Sequence, residues 1–163
     1  MIVGMSTLGI VHTALSVLAL ASGLVVVSGL LRAKRTDRWA AFYFASALAT
    51  SATGFGFPGG FGVPQALGIV ALALLAAAVL ARYAFRLAGI WRAIYAAATV
   101  LSVHTLVFFT IGEAFLRIPA LSALAPNLTE WPFAVVQAGG LVLFIALAAM
   151  AAKRFRPAVA VES

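Results

Sequence analysis

Residues 7–38 read TLGIVHTALSVLALASGLVVVSGLLRAKRTDR, and this stretch decides the fold. From Thr7 to Leu31 no residue is charged; then Arg32, Lys34, Arg35, Asp37 and Arg38 arrive almost at once. A helix needs about 20 apolar residues to cross the hydrocarbon core of a bilayer. The abrupt basic cluster is what marks a cytoplasmic membrane boundary. Met1 to Leu8 contain no Lys or Arg. The apolar run also exceeds the roughly 7–15 residues of a signal-peptide core, so it is expected to persist as a spanning helix.

Four more apolar runs follow, at about residues 39–57, 65–81, 90–113 and 132–152. The expected fold is therefore all-α. It is a single transmembrane domain over residues 1–163, a bundle of five spans with the first at about residues 7–31. Composition agrees: 64% of the 163 residues are hydrophobic, 9% are charged and the mean hydropathy is +1.13. Soluble domains carry roughly 25% charged residues, so this chain cannot build a water-facing surface. The segment Pro58-Gly59-Gly60-Phe61-Gly62-Val63-Pro64 cannot continue a helix and separates the second and third runs.

Five crossings place the loops after the first and third spans, and the carboxyl tail, on one side. Those segments hold Arg32, Lys34, Arg35, Arg38, Arg82, Arg86, Arg92, Lys153, Arg154 and Arg156, leaving only Arg117 opposite. The positive-inside rule then puts the amino terminus outside and the carboxyl terminus in the cytoplasm. Trp39, Trp91 and Trp131 fall at span boundaries, where an amphipathic ring is favoured. The net charge of +7 is thus a topological signal. No basic and aromatic patch of the nucleic-acid-binding kind accompanies it. Cysteine is absent, which excludes disulfides, thiolate metal sites and thiol catalysis.

Polar residues inside a membrane are the candidates for function. Helical spacing aligns His12, Ser16, Ala19 and Gly23 in the first span, Tyr43, Ser46, Thr50 and Thr53 in the second, and Tyr95, Thr99, Ser102 and Glu113 in the fourth. Such stripes serve either as close helix–helix contacts or as the wall of a polar pocket between spans one, two and four. His12 and His104 are the only histidines. A pair of intramembrane imidazoles raises haem b as a cofactor, one axial ligand from each. Depth opposes it: His12 lies roughly 7–8 Å and His104 about 13–14 Å from the outer boundary at 1.5 Å per residue. His104 also points away from the Tyr95–Glu113 stripe. The alternative for each is a neutral histidine hydrogen-bonded between helices.

Glu113 stands four residues before Arg117, the favourable order for a helical ion pair. Beyond that plain reading, His12, Thr110, Glu113 and Gln137 all fall near the outer boundary. Together they form a candidate outward-facing site for a proton, a quinone headgroup or another small ligand. Gly54 to Gly62 lacks the Lys-Ser/Thr ending of a phosphate loop, and Asn127-Leu128-Thr129 matches the glycosylation pattern by chance-level similarity. No catalytic motif is visible, and no metal site is assigned.

The segment Glu113-Ala114-Phe115-Leu116-Arg117-Ile118-Pro119-Ala120-Leu121, with Ala125-Pro126 and Thr129-Glu130-Trp131-Pro132-Phe133-Ala134 after it, resembles a group of small bacterial multi-pass inner-membrane proteins of unknown function. Ala49 to Phe55 and His12-Thr13 fit the same pattern, which extends over most of the chain. The chain departs from it at Glu113, where Gln is expected, and at Asn127-Leu128. The resemblance implies a bacterial inner-membrane location and carries no activity. The expected function is a non-catalytic subunit or assembly partner of a larger membrane complex or homo-oligomer, in contact with the lipid bilayer and with no nucleic acid. The alternatives are a redox subunit holding haem b or quinone, and a small transporter or channel. The last is weakened because no charge lies near the midplane, where transporters hold their sites.

Overall fold

Ser6 starts the first helix: its Oγ accepts the Gly9 N–H at 3.2 Å, satisfying one of the donors that a helix start leaves open. The computed structural model describes residues 6–57 and 60–155. Pro58 and Gly59 of the glycine–proline segment, and Arg156 of the basic tail, lie outside the described residues. Helix α1 spans Thr7–Leu31. It stops on a paired cap in which Lys34 N–H reaches Gly29 O at 2.9 Å and Ala33 N–H reaches Leu30 O at 3.2 Å. Ala33 takes φ +56° to make that turn, a position usually given to glycine.

Helix α2 (Asp37–Gly54) opens with Asp37 in its first turn, where a negative charge suits the helix dipole. It returns antiparallel along α1. Gly29 lies beside Thr36, Gly23 beside Tyr43, His12 beside Thr53 and Leu8 beside Gly56. Helix α3 (Val63–Val79) begins where the Gln65 side chain reaches back to the Gly62 N–H at 3.0 Å. It ends in a π-helical turn, Leu80–Ala84. Helix α4 (Trp91–Arg117) follows a tight turn braced by Phe85 stacked on Trp91 at 3.7 Å. A single helical turn, α5 (Pro119–Ser122), lies in the segment between the fourth and fifth apolar runs, and α6 (Trp131–Arg154) is the last helix of the described residues.

The all-α expectation holds: the described residues form helices and no strands. Four helical segments are long and apolar enough to cross a membrane: Thr7–Leu31, Val63–Ala84, Trp91–Arg117 and Trp131–Arg154. The expected count was five, and α2 is the helix that falls short. It has 18 residues, begins on Asp37 and Arg38, and carries Ser46, Thr50, Ser51 and Thr53. The reason is visible in its packing. Tyr43, Ser46 and Thr50 are buried, while Trp39, Phe42 and Leu48 face out at 50%, 46% and 40% exposure. Its polar groups point inward, so its mean hydropathy understates its apolar outer face.

The whole bundle shares this inverted pattern. Val17, Val135 and Val142 are exposed, whereas Ser22, Ser46, Thr99 and Ser102 are buried. Helix α4 lies at the centre, packed on α1, α3 and α6, and α1 packs on α2. Small residues mediate the close approaches. A Cβ on Gly23 would lie 2.7 Å from Val103 and 2.9 Å from Tyr43, and Ala19, Ala40, Ala78, Ala81 and Ala96 are fully buried. Membrane helices associate through such small-residue contacts because burial from lipid supplies no hydrophobic drive.

Candidate functional site

At one end of the bundle the helices meet around the partly buried side chain of Arg82. Arg82, in the π-helical turn after α3, donates to Asp37 Oδ1 at 2.6 Å and to the Tyr95 hydroxyl at 3.1 Å. Its planar group also lies 5.5 Å from the centre of each ring of Tyr83 and Tyr95, and Phe155 packs on Tyr95 at 5.7 Å. The Arg82 side chain is 9% exposed and that of Asp37 51%. With Arg82 as its first cause, the Asp37 carboxyl is held below its ordinary 3.8. This tie joins the start of α2, the end of α3 and the start of α4, with Phe155 at the end of α6. The basic residues after α1, after α3 and in the last turn of α6 therefore share one end of the molecule, and Arg117 lies at the other.

From that other end a cleft of about 1180 Å³ enters between α1, α2, α3 and α4. Its walls run from Gly9 to Leu24 on α1 and from Ser102 to Arg117 on α4. Fifteen helical steps on each correspond to roughly 22 Å of depth. The cleft stops at Tyr43 and Ser102, whose hydroxyls meet at 2.6 Å. Ser102 spends its own proton on Thr99 O at 2.8 Å, so Tyr43 is the donor. This bond bridges α2 and α4, which have no backbone approach of their own. Beyond the floor, Val26, Ala40, Ala78 and Thr99 are fully buried.

Three of the four residues expected in the outward site line this cleft: His12, Thr110 and Glu113. His12 Nδ1 meets Thr53 Oγ1 at 2.9 Å, and its ring stands edge-on to Phe57 at 5.2 Å. The Thr53 proton goes to Ala49 O and Thr50 O at 2.9 and 3.0 Å. With the Thr53 proton assigned to those carbonyls, Nδ1 is the donor in this contact and Nε2 keeps its lone pair. Glu113 pairs with Arg117 at 2.6 Å, as the spacing predicts; both are more than half exposed at the mouth. Thr110 is exposed and bonds its own helix at Leu106 O, 2.8 Å away. Thr50 also lines the cleft; it is 6% exposed and its Oγ1 has no partner.

Gln137 departs from the expected cluster. It is buried between α4 and α6, donating to Phe108 O at 3.0 Å, and is not part of the cleft wall. The same interface separates the two histidines. His104 packs on Phe144 at 5.1 Å and against Gly140, on the α6 side of α4. His12 sits on the α1–α2 side with Thr53. The two imidazoles occupy different interfaces and do not fit a shared iron. Among the described residues, no three His, Cys, Asp or Glu side chains gather to hold a metal ion.

Two elements escaped the sequence reading. One is the Tyr43–Ser102 floor, of which only the separate stripes were visible. The other is the Arg82 tie, where Arg82 counted merely as a topological charge. Arg82 lies inside an apolar helix, Val63–Ala84, and that placement was the available signal. Comparisons with protein-family models, with curated proteins and with solved structures each find no match for this chain.

Proposed function

We propose that this chain is a five-crossing protein of the bacterial inner membrane, amino terminus outside, that binds a small amphipathic ligand in its cleft. It acts by holding the ligand rather than by transforming it, alone or as the ligand-binding subunit of a larger membrane complex. The cleft carries this reading. Protein interiors are close-packed, with few voids larger than a water. Small-ligand pockets occupy about 300–1,000 Å³, and this one, at about 1180 Å³, is larger still. Its depth is walled by apolar groups such as Leu20, Leu24, Leu75 and Leu106, and its mouth by His12, Glu113 and Arg117. That division suits a molecule with an apolar body and a polar head.

A binding role is favoured over a chemical one by the direction of the His12 bond. A histidine that activates a hydroxyl accepts its proton; here the Thr53 hydroxyl has two backbone carbonyls, at 2.9 and 3.0 Å, to take that proton in place of His12. Two features support a fifth crossing. Helix α2 runs beside α1 from Gly29 to Leu8, and the basic loops lie at one end, which the positive-inside rule assigns to the cytoplasm. The cleft then opens outward.

Reporter tags on the two termini test the topology, and finding both in one compartment rejects five crossings. For binding, protein purified in mild detergent is analysed by mass spectrometry for retained small molecules. Wild type is expected to retain an amphiphile that Thr13→Trp and Thr110→Trp, bulky at exposed positions of the cleft wall, exclude. Equal recovery from all three proteins sinks the binding reading.

A further inference from the structure

Helices α1 and α4 touch at the floor of the cleft and part above it. Val103 is fully buried, and a Cβ on Gly23 would stand 2.7 Å from its Cγ2. Seven residues make nearly two turns, so Thr110 shares a face of α4 with Val103, and Ser16 shares a face of α1 with Gly23. Both line the cleft, and Thr110 is exposed. The faces that seal the floor are therefore unsealed two turns further out, which leaves a seam between the two helices. Its α1 edge is the stripe Thr13, Val17, Ala21 and Leu24, all exposed residues of the cleft wall; Val17 is 60% exposed and Leu24 50%. Around α1 this stripe runs on into Ile10, Leu18 and Val25, exposed apolar side chains of the same helix. Both helices are long and apolar enough to cross a membrane. A seam edged in this way opens into hydrocarbon, and the leucines behind it favour hydrocarbon over water.

Width and length decide what enters. A cleft of about 1180 Å³ over roughly 22 Å of depth has a mean cross-section of roughly 50 Å². Hydrocarbon chains in contact at about 4.5 Å take roughly 20 Å² each. Two chains side by side fill that section, whereas one leaves more than half of it empty, against the close packing of protein interiors. From His12 to Gly23 on α1, and from Glu113 to Ser102 on α4, is eleven residues in each case, roughly 16 Å. With carbon–carbon bonds of about 1.52 Å an extended chain advances about 1.3 Å per carbon, so about twelve carbons reach from the polar mouth to the floor. We propose that the cleft holds a two-chain lipid of the outer leaflet, admitted sideways between α1 and α4. Its chains lie along Leu20, Leu24, Leu75 and Leu106, and its headgroup stands at the level of His12, Glu113 and Arg117. The proposal rests on the binding reading above and names the ligand class. The mouth offers donors on Thr13 and Arg117 and acceptors on Glu113, so access, width and length set that class and the head does not. The ends of chains longer than the cleft leave through the seam.

The chain has no cysteine, so one introduced thiol gives a unique spin-label site. Leu20→Cys places the label inside the cleft, Leu18→Cys on the exposed outer face of α1, and Asn127→Cys on the exposed loop before α6. With the full chain in lipid nanodiscs, collision with oxygen reports hydrocarbon and collision with a water-soluble nickel chelate reports water. The Leu20 label is expected to match Leu18, rich in oxygen and shielded from nickel. A nickel response like that of Asn127 makes the cleft aqueous and overturns lateral lipid entry, while leaving the binding reading intact. Low response to both agents overturns it too, because a cleft filled by lipid chains is not shut. The two-chain assignment is tested on delipidated protein in mild detergent, given equimolar dilauroyl-phosphatidylcholine and lauroyl-lysophosphatidylcholine, which share head and chain length. Native mass spectrometry is expected to find one two-chain lipid per protein, outnumbering the lysolipid adduct, and to find that adduct lost in Leu106→Trp, which fills the cleft at mid-depth. Lysolipid binding as well as the two-chain lipid overturns the assignment and leaves the binding reading standing. An undiminished adduct in Leu106→Trp puts the lipid elsewhere and overturns the proposal. No adduct of either probe on the wild-type chain sinks the binding reading itself. If Leu106→Trp does not fold, the spin label at Leu20 decides the location alone.

Discussion

Gly23→Ala adds one methyl group where the structure has no room for it. The new Cβ would stand 2.7 Å from Val103 Cγ2 and 2.9 Å from Tyr43 Cε2, against about 3.5–4.0 Å for an ordinary carbon contact. Roughly 1 Å of displacement is therefore needed. Neither neighbour yields easily. Both are fully buried. Val103 is β-branched on a helix and nearly confined to one rotamer, and Tyr43 is pinned to Ser102 at 2.6 Å. Overpacking of this kind costs about 1–3 kcal/mol. With two rigid neighbours we take the upper end, about 3 kcal/mol, and subtract the helix advantage of alanine over glycine, about 1 kcal/mol. The net loss is about 2 kcal/mol, roughly thirtyfold in the folding equilibrium. Gly112→Ala is the matched control, because nothing lies within 4 Å of its added Cβ; it should be neutral or stabilising by up to about 1 kcal/mol. Reversible unfolding in mixed micelles of rising dodecyl sulfate content, followed by circular dichroism, measures both. If Gly23→Ala is as stable as Gly112→Ala, α1 does not approach α2 and α4 as closely as described, and the floor of the cleft loses its basis.

Tyr43→Phe removes the donor across that floor and should cost about 0.5–1.5 kcal/mol in the same assay, since Ser102 keeps its bond to Thr99. Ala33→Gly should stabilise by up to about 1 kcal/mol, because φ +56° at the α1 cap suits glycine. In the Arg82 tie the more exposed partner should be the costlier one to remove: Asp37→Ala strands a guanidinium that is 9% exposed, whereas Arg82→Met leaves a carboxylate that water can reach. Thermal melting of the two variants gives the order directly, and Arg82→Met falling further than Asp37→Ala refutes it. The Asp37 carboxyl titrates lower folded than unfolded, so its contribution is present above about pH 4 and lost as pH falls through the lowered value. Asp37→Asn should flatten that acid limb of the melting curve.

Much of this architecture was legible in the sequence because membrane physics writes it in coarse strokes. The absence of charge from Thr7 to Leu31 is a statement about solvent, and the helix follows from the need to satisfy backbone polar groups within the segment. The stripe Tyr43-Ser46-Thr50-Thr53 faces inward because lipid has no use for hydroxyls. The spacing of Glu113 and Arg117 fixed their pairing. Placement across helices was not legible. Gln137 lies near the same boundary as Glu113, yet α6 packs on the far side of α4 and carries it away from the cleft. Depth along a span can be counted from residue numbers, but azimuth depends on which helix is the neighbour. The shortfall of α2 has a different cause. A mean over the helix blends its buried hydroxyls with its exposed Trp39, Phe42 and Leu48, although those two faces meet different media.

Side-chain size along the helices explains why a cleft exists at all. Toward the basic end Gly23, Ala40, Ala78, Ala81 and Ala96 let the helices close on one another around Leu30, Phe44 and Tyr95. Toward the opposite end the same helices present His12, Gln65 and Phe109, with Phe55 and Phe57 just past the end of α2. Phe55 even wedges against Gly68 of α3, 3.3 Å from where a Cβ would stand. Aromatic side chains lodged between the helix ends hold them apart there, because helix–helix distance follows the side chains at the contact. The opening is thus a consequence of residue volumes on four separate helices. The polar groups that line it gain their accessibility from that splay, and a bundle with alanines at Phe55, Phe57 and Phe109 should close over them.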